Sequence, residues 1–61
     1  LTPMRYIRIL RLERSKPLLR NGDGVAEVAA ACGFTDSGYF TRCFKRHYGL
    51  TPSDYRSAHL K

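Results

Sequence analysis

One helical segment of this chain concentrates side chains that could bind an anionic partner. Its outward face is predicted to hold Ser37, Gly38, Thr41, Arg42, Lys45 and Arg46. Four of these residues follow an i, i+3, i+4, i+7 spacing, which places them on one side of an α-helix. Small groups come first along this face and cations follow. The chemistry this face offers is hydrogen bonding and ionic contact rather than covalent catalysis.

The overall charge of the chain agrees with that interpretation. Its 61 residues include 11 Lys and Arg against 5 Asp and Glu, which gives a formal charge of +6. This charge density indicates an anionic partner, with nucleic acid first and an acidic membrane surface second. Many basic domains bind nothing through their charge, so the charge becomes informative only when a scaffold directs it to one surface.

The other reactive side chains do not form a catalytic or metal site in the sequence. No nucleophile sits beside a base, and paired carboxylates and a glycine-rich phosphate loop are absent, so we predict no enzyme activity and no cofactor. Cys32 and Cys43 lie in apolar helical patterns and are predicted to be reduced thiols. His47 and His59 are predicted at the surface, since no third metal ligand accompanies them. No signal peptide or membrane span is predicted, because no long apolar run is present.

Four helices are predicted, over about 3–20, 25–32 and 36–48 and from residue 52 onward. Thr2 caps the first helix, and Pro3 occupies its first position, where a missing N–H costs nothing. Thr35 is predicted to cap the third helix. Thr51 starts the fourth helix, with Asp54 as its capping partner. No segment alternates as a strand does, so the predicted fold class is all-α.

The second and third predicted helices are joined by a short turn that contains Gly33. This arrangement is a helix-turn-helix unit, whose second helix can enter the major groove of DNA. Its core is predicted to consist of Val28, Ala29, Cys32, Phe34, Phe40 and Phe44, with Tyr48 one turn further on. The opposite side of the third helix is then the outward face, with its first residues at base edges and its later cations at phosphates.

The first predicted helix is apolar on two sides. One stripe is formed by Leu12, Ser15 and Leu19, and the other by Tyr6, Ile7, Leu10 and Leu18. A helix that packs on one neighbour needs one stripe, so two stripes predict two neighbours. A dimer or lattice contact is the alternative occupant of the second stripe.

The motif Leu-Thr-Pro-x-x-Tyr occurs twice, at 1–6 and at 50–55. The second copy closes the helix-turn-helix pair, so we expect the first copy to close an equivalent pair upstream. Residues 1–22 are then a linker helix, the tail of an upstream helix-turn-helix unit absent from this chain. Residues 23–61 are a second helix-turn-helix unit with its C-terminal helix. The tyrosine that ends each copy is predicted to be a packing anchor.

These residues carry a family resemblance. The string VAEVAAACGFTDSGYFTRCFKRHYGLTPSDYR resembles the C-terminal signature of the AraC/XylS transcription regulators, and PMRYIRILRLERSKPLLR resembles the linker helix of that family. Members carry two helix-turn-helix units joined by the linker. The resemblance implies a homeodomain-like helical bundle that binds double-stranded DNA in the bacterial cytoplasm, at the nucleoid. It further implies transcription regulation, with activation as the expected mode, RNA polymerase as a further partner and a regulatory domain upstream.

The resemblance also assigns roles to individual residues. It implies that Ser37, Gly38, Thr41 and Arg42 face the DNA groove and that Lys45 and Arg46 lie near phosphates. Linker arginines are expected to add phosphate contacts. Arg42 could read a base or hold a phosphate, and both alternatives stay open. Lys45 and Arg46 could instead form a solvated surface.

Three positions depart from the family pattern. Gly38 stands where many members have a polar side chain, so a base contact is expected to be lost there. Gly24 replaces the usual Ser or Thr cap of the second helix. Pro17 lies inside the linker pattern, with an expected cost of roughly 3 kcal/mol or a kink near 13–16.

Two other classes of function stay open on the residues alone. The basic first helix contains Leu and Ile and could lie in a membrane interface, although its charges are mixed with its apolar positions. Alternatively, its second apolar stripe could bind a protein, such as RNA polymerase or a dimer mate. Binding to DNA should depend steeply on salt, whereas binding through an apolar stripe should not.

Overall fold

A computed structural model describes residues 2–59 of the chain and contains four α-helices in this range. They are α1 (Pro3–Arg20), α2 (Val25–Ala31), α3 (Ser37–Tyr48) and α4 (Pro52–His59). Residues 2–59 include no β-strand, so the predicted all-α class is confirmed. Leu1, the first residue of the repeated motif, and residues 60–61 at the end of the predicted second unit lie outside the described residues.

Helix α1 has the predicted boundaries. The Thr2 Oγ1 accepts a hydrogen bond from the Arg5 backbone N–H at 3.2 Å, and Pro3 is the first helical residue. The chain leaves α1 through Asn21 and Gly22, and the Gly22 φ of 95° is a left-handed conformation that glycine adopts without steric cost. The predicted cap and the predicted end of α1 are both confirmed.

Pro17 lies inside α1, which continues past it to Arg20. In the preceding turn, the buried Ser15 hydroxyl donates to the Leu12 carbonyl at 2.5 Å. A serine that bonds back to its own helix satisfies a buried hydroxyl without a partner from another element. The buried stripe of Leu12, Ser15 and Leu19 therefore extends across the proline, as predicted.

Helix α3 begins one residue later than predicted. Its N-cap is Asp36 rather than Thr35, and the Asp36 Oδ1 accepts the Gly38 backbone N–H at 2.9 Å. A carboxylate here satisfies a free N–H and also meets the positive end of the helix dipole, which favours it over the neighbouring hydroxyl. The prediction that Thr35 caps α3 is therefore wrong. In α4 the predicted cap is confirmed, since the Thr51 Oγ1 accepts the Asp54 backbone N–H at 3.1 Å.

The turn between α2 and α3 depends on Gly33. Helix α2 ends at Ala31, one residue short of the prediction, and Gly33 follows with a φ of 90°. A Cβ at this position would lie 3.1 Å from the Arg11 Nε, so a larger residue is opposed by both the backbone conformation and the packing of α1. The Phe34 backbone N–H donates to the Ala29 carbonyl at 2.9 Å and closes the turn.

The core lies where α1, α2 and α3 meet. Its buried residues are Leu12, Leu19, Val28, Ala29, Cys32, Phe34, Phe40 and Phe44. The whole predicted inward set is buried, and Tyr48 packs against it as predicted. Phe40 and Phe44 are fully buried, with ring centroids 5.8 Å apart in the edge-to-face geometry that aromatic rings favour. Leu18, predicted on the stripe away from the core, instead packs partly against it.

Two arginines attach the end of α1 and its following turn to α4. The Arg56 Nε and Nη2 donate to the Gly22 carbonyl at 3.1 and 3.0 Å. The Arg20 Nη1 donates to the Tyr55 hydroxyl at 2.6 Å, and the Tyr55 ring packs edge-on against Phe44 with centroids 5.5 Å apart. Helix α4 therefore holds α1 and α3 in a fixed relation, with Tyr55 as the predicted packing anchor.

Candidate nucleic-acid interface

The residues predicted to meet DNA lie together on the outward side of α3. Ser37, Arg42, Lys45 and Arg46 are exposed, and Gly38 and Thr41 are half-buried. Phe40 and Phe44 anchor the opposite side of the helix in the core. The six residues thus form one surface, the outward face of α3, on a helix that cannot rotate without disrupting the core.

The first turn of the outward face is shaped by Gly38. A Cβ at this position would lie 3.3 Å from the Asp36 Oδ1 and 3.6 Å from the Arg42 Nη1. The absent side chain therefore leaves the space in which the Arg42 guanidinium reaches back over the first turn. The Thr41 hydroxyl donates to the Ser37 carbonyl at 2.8 Å. Its donor is therefore occupied, and its oxygen and methyl group are what it can offer to a ligand.

The outward face is electrostatically positive. Lys45, Arg46 and His47 occupy the last turn of α3, where cations also meet the negative end of the helix dipole. Within residues 2–59 one ion pair is found, between the Lys16 Nζ and Glu13 at 3.3 Å. No carboxylate of the described chain is therefore paired with the cations of this face. Such guanidinium and ammonium groups are available to contact phosphate oxygens.

Helix α1 reaches the last turn of α3 through a polar cluster of Glu13, Lys16 and Tyr48. The Tyr48 hydroxyl donates to the Glu13 carboxylate, and the Lys16 Nζ lies 4.7 Å from the centroid of the Tyr48 ring. The bonds from Tyr48 and then Lys16 hold the pKa of Glu13 below its usual value of 4.5. Burial, followed by the bond to Glu13, raises the pKa of Tyr48. This cluster was not predicted, and the i, i+3 spacing of Glu13 and Lys16 is its only sequence signal.

A groove of about 250 Å³ separates the N-terminal half of α1 from α3. Arg5 and Arg8 line its α1 side, and Arg42 and Arg46 line its α3 side. Towards the first turn of α3, the Arg8 Nη1 donates to the Tyr39 hydroxyl at 3.3 Å. The sequence alone does not indicate which linker arginines lie near α3, because that depends on how two distant helices cross. The structure brings Arg5 and Arg8 to the edge of the outward face.

The second stripe of α1 is exposed. Tyr6, Ile7 and Leu10 are 54, 39 and 39% exposed, as predicted for a stripe that faces away from the core. Within the described chain Tyr6 is therefore not a packing anchor, unlike Tyr55, because it lies on the side of α1 that turns away from the other helices. Exposed apolar side chains that lie close together on one helix form a candidate interaction surface.

The side chains typical of other kinds of site are the cysteines and histidines. Cys32 and Cys43 are free thiols, and burial raises the pKa of the Cys32 thiol. His47 and His59 are exposed. Among residues 2–59, no group of three His, Cys, Asp or Glu side chains could hold a metal ion. None of the helices described is both long and apolar enough to cross a membrane.

Comparison with known proteins identifies the class to which this fold belongs. A profile of the helix-turn-helix domain family matches residues 1–58. The chain belongs to the AraC-type helix-turn-helix family, whose members are DNA-binding transcription regulators. The AraC/XylS resemblance of the sequence is thereby confirmed.

Particular relatives are named as transcriptional activators. The chain is 44% identical over 57 residues to the HTH-type transcriptional activator RhaS of Escherichia fergusonii, which covers 92% of this chain and 20% of the relative. It is 42% identical to the HTH-type transcriptional activator RhaR of Mannheimia succiniciproducens, over 100% of this chain and 22% of the relative. For RhaR of Yersinia pseudotuberculosis the identity is 44%, over 92% of this chain and 20% of the relative. The chain thus spans about a fifth of the length of these relatives. No solved structure matches the chain significantly.

Proposed function

We propose that the chain binds double-stranded DNA by placing α3 in the major groove, as part of an AraC-type bacterial transcription activator. The observation that carries this proposal is the outward face of α3, which is cationic, exposed and fixed from behind by Phe40 and Phe44. A major groove about 12 Å wide admits one α-helix, and a helix whose rotation is fixed by its core presents the same side chains to the bases each time.

The N-terminal half of the outward face is assigned to base edges. Its members are Ser37, Gly38, Thr41 and Arg42. The Arg42 guanidinium could donate two hydrogen bonds to the O6 and N7 atoms of guanine, or it could hold a phosphate at the side of the groove. Thr41 would offer its methyl group to a thymine methyl, since its donor is used by the Ser37 carbonyl. Gly38 offers no side chain and permits close approach of the helix backbone.

The C-terminal half of the outward face is assigned to phosphates. Lys45 and Arg46 are exposed and have no ion-pair partner among the described residues. Each cation that neutralises a phosphate releases counterions, so the affinity should fall steeply with salt concentration. Contacts of this kind position α3 in the groove without carrying sequence information.

The first helix is assigned to a second interface. We propose that residues 1–22 form a linker helix and that residues 23–61 form the second of two helix-turn-helix units in the full-length protein. The exposed stripe of Tyr6, Ile7 and Leu10 supports this proposal, because a preceding unit would cover it. RNA polymerase or a dimer mate is the alternative occupant of the stripe.

The family also supports a proposal for the cellular setting. The relatives are named as transcriptional activators, and we propose activation for the protein to which this chain belongs. Its place would then be the bacterial cytoplasm, associated with the nucleoid. The remaining four-fifths of such a protein would supply its regulatory domain.

Fluorescence anisotropy with a random-sequence duplex, titrated at several salt concentrations, tests the DNA contact. The slope of log affinity against log salt should be strongly negative, and Lys45→Gln and Arg46→Gln should each reduce its magnitude by about 0.9. Arg14→Gln removes the same charge from an exposed position on α1 that does not line the groove between α1 and α3, and it should leave the slope unchanged. An absent salt response, or equal effects of all three substitutions, would contradict the proposal.

A further inference from the structure

We propose that the groove between α1 and α3 receives the phosphate backbone of one DNA strand, with Arg5 and Arg8 of α1 as additional phosphate ligands. The inference rests on the proposed function and extends it, because it assigns DNA contacts to a helix outside the helix-turn-helix pair. It also selects two of the five arginines of α1 for this role.

The shape of the groove is set by contacts at two places along α1. Towards the first turn of α3, Arg8 donates to the Tyr39 hydroxyl at 3.3 Å. Towards the last turn, Tyr48 donates to Glu13. Beside these two contacts, α1 and α3 leave a groove of about 250 Å³ that residues of both helices line. The groove is open to solvent. Because the two hydrogen bonds join its α1 and α3 walls, it is present before any ligand binds.

The charge of the groove fits a phosphodiester chain. Its walls carry four arginines and one histidine, and no Asp or Glu is among its lining residues. Glu13, the acidic residue of the second contact, already accepts from Tyr48 and pairs with Lys16. Arginine forks match the geometry of phosphate oxygens, so opposing pairs of arginines suit successive phosphates.

The floor of the groove is apolar. Ile9 and Leu12 of α1 and Cys43 of α3 line it between the arginines. A backbone strand alternates anionic phosphates with largely apolar sugar carbons, so a cationic rim over an apolar floor matches both components. A small inorganic anion would use the arginines and leave the floor uncovered.

Continuity with the outward face of α3 favours DNA over an acidic peptide. Arg42 and Arg46 belong both to that face and to the wall of the groove. A helix in the major groove has one phosphate strand on each side of it. The groove runs alongside α3, where one of those strands would pass, so a duplex seated on the outward face brings its backbone to Arg5 and Arg8.

The salt slope of duplex binding tests this inference on the 61-residue chain. Arg5→Gln should reduce the magnitude of the slope by about 0.9, and the double variant Arg5→Gln/Arg8→Gln should reduce it by about 1.8. Arg14→Gln, on the same helix but absent from the groove, is the matched control and should leave it unchanged. Glutamine and arginine have similar helix propensities, and far-UV circular dichroism with thermal unfolding checks that each variant folds.

Alkylation of Cys43 gives a second readout that needs no substitution. Cys43 is partly buried in the floor of the groove, whereas Cys32 is buried in the core and serves as the internal reference. A saturating duplex should slow the reaction of Cys43 with iodoacetamide several-fold relative to Cys32.

The outcomes separate this inference from the proposed function. If the wild-type chain shows no salt-dependent binding, or Lys45→Gln has no effect, the proposed function fails as well. If Lys45→Gln reduces the slope while Arg5→Gln behaves like Arg14→Gln and Cys43 stays reactive, only the groove assignment is overturned. A poly-glutamate peptide tests the alternative occupant. If the peptide competes with the duplex, if its binding is lost in Arg5→Gln/Arg8→Gln, and if DNA does not protect Cys43, the groove is assigned to an acidic protein segment instead.

Discussion

Arg8 and Tyr39 lie 31 positions apart in the chain, and the Arg8 Nη1 donates a hydrogen bond to the Tyr39 hydroxyl at 3.3 Å. The centroid of the Tyr39 ring in turn lies 6.1 Å from the centroid of the Phe34 ring, and Phe34 belongs to the core. This contact ties the N-terminal half of α1 to the first turn of α3, next to the residues proposed to meet the bases. The position of α1 is therefore coupled to the DNA-facing helix through side chains that are not themselves part of the outward face.

Phe40→Ala should lower the free energy of unfolding by about 3–5 kcal/mol, because it removes a fully buried ring from the core. A chain of this size has a total stability of the same order, so the variant should be largely unfolded. Urea titration followed by circular dichroism measures the effect. Tyr39→Ala is the control. Its ring is 41% exposed, so this substitution should lower the free energy of unfolding clearly less than Phe40→Ala does. Equal losses would contradict the assignment of Phe40 to the core.

Gly38→Ala should stabilise the chain by up to about 1 kcal/mol, the difference in helix propensity between the two residues. The added Cβ would meet the Asp36 Oδ1 at 3.3 Å and the Arg42 Nη1 at 3.6 Å, and both are exposed side chains that can move. Asp36→Ala, which removes the N-cap, should destabilise by about 1 kcal/mol. Thermal unfolding of both variants measures these changes in stability. A destabilised Gly38→Ala chain would mean that the capping bond does not tolerate the displacement.

Glu13 should make stability fall on the acid side of the pH range. Its pKa in the folded chain lies below the usual 4.5, because Tyr48 and Lys16 bind the carboxylate. The unfolded chain therefore takes up a proton first as the pH falls, so this contribution is present above about pH 4.5 and is lost through the folded pKa. The difference in Tm between the wild type and Glu13→Gln should be largest near pH 7 and should shrink towards pH 3. A difference independent of pH would show that the contact is not formed in solution.

Arg56→Lys should lower the free energy of unfolding by about 1–2 kcal/mol, although it keeps the charge. The arginine donates from two nitrogens to the Gly22 carbonyl, at 3.1 and 3.0 Å, and an ammonium group cannot reproduce that fork. The salt slope of duplex binding should not change, because the substitution keeps the positive charge. Urea titration measures the loss of stability, and unchanged stability would show that the two bonds to Gly22 do not stabilise the fold.

The chain on its own should bind a duplex weakly, with a Kd in the micromolar range or higher at physiological salt. One helix in one groove lacks the avidity of two tethered units, which raises overall affinity by about 10²–10⁴. Anisotropy with a random duplex and with candidate operator duplexes measures both affinity and selectivity. A nanomolar, sequence-selective complex of this chain alone would contradict the proposed tandem arrangement.

Local sequence patterns were sufficient to predict the helices and the core. Apolar spacing identified the inward set around Phe40 and Phe44, and capping rules located Thr2 at the start of α1. The same rules wrongly predicted Thr35 as the N-cap of α3 in place of Asp36. Either of these adjacent residues could cap the helix, and the sequence does not show which backbone N–H groups each side chain can reach. The errors in local structure are therefore limited to one residue at an element end.

The arrangement between helices could not be predicted in the same way. Arg5, Arg8 and Glu13 acquire their neighbours only when α1 packs near α3, and that packing is a property of the whole fold. Leu18 shows the same limit, because periodicity placed it on the stripe of α1 away from the core, whereas the structure packs it partly against the core. Helical periodicity gives the direction in which a side chain leaves the axis of its helix. It carries no information about which residues of other helices lie in that direction.

The continuity of α1 through Pro17 has a geometric consequence for the proposed full-length protein. An 18-residue helix is about 27 Å long, somewhat less than the 34–36 Å that separates equivalent major-groove sites one turn apart on a duplex. With both of its apolar sides covered, such a helix would be a rigid spacer between the two units. It would set the distance between two DNA-reading helices and also their phase around the duplex axis. Each residue inserted into α1 would rotate one unit against the other by about 100°, so that helical register, more than reach, would determine which pairs of sites the protein can occupy together.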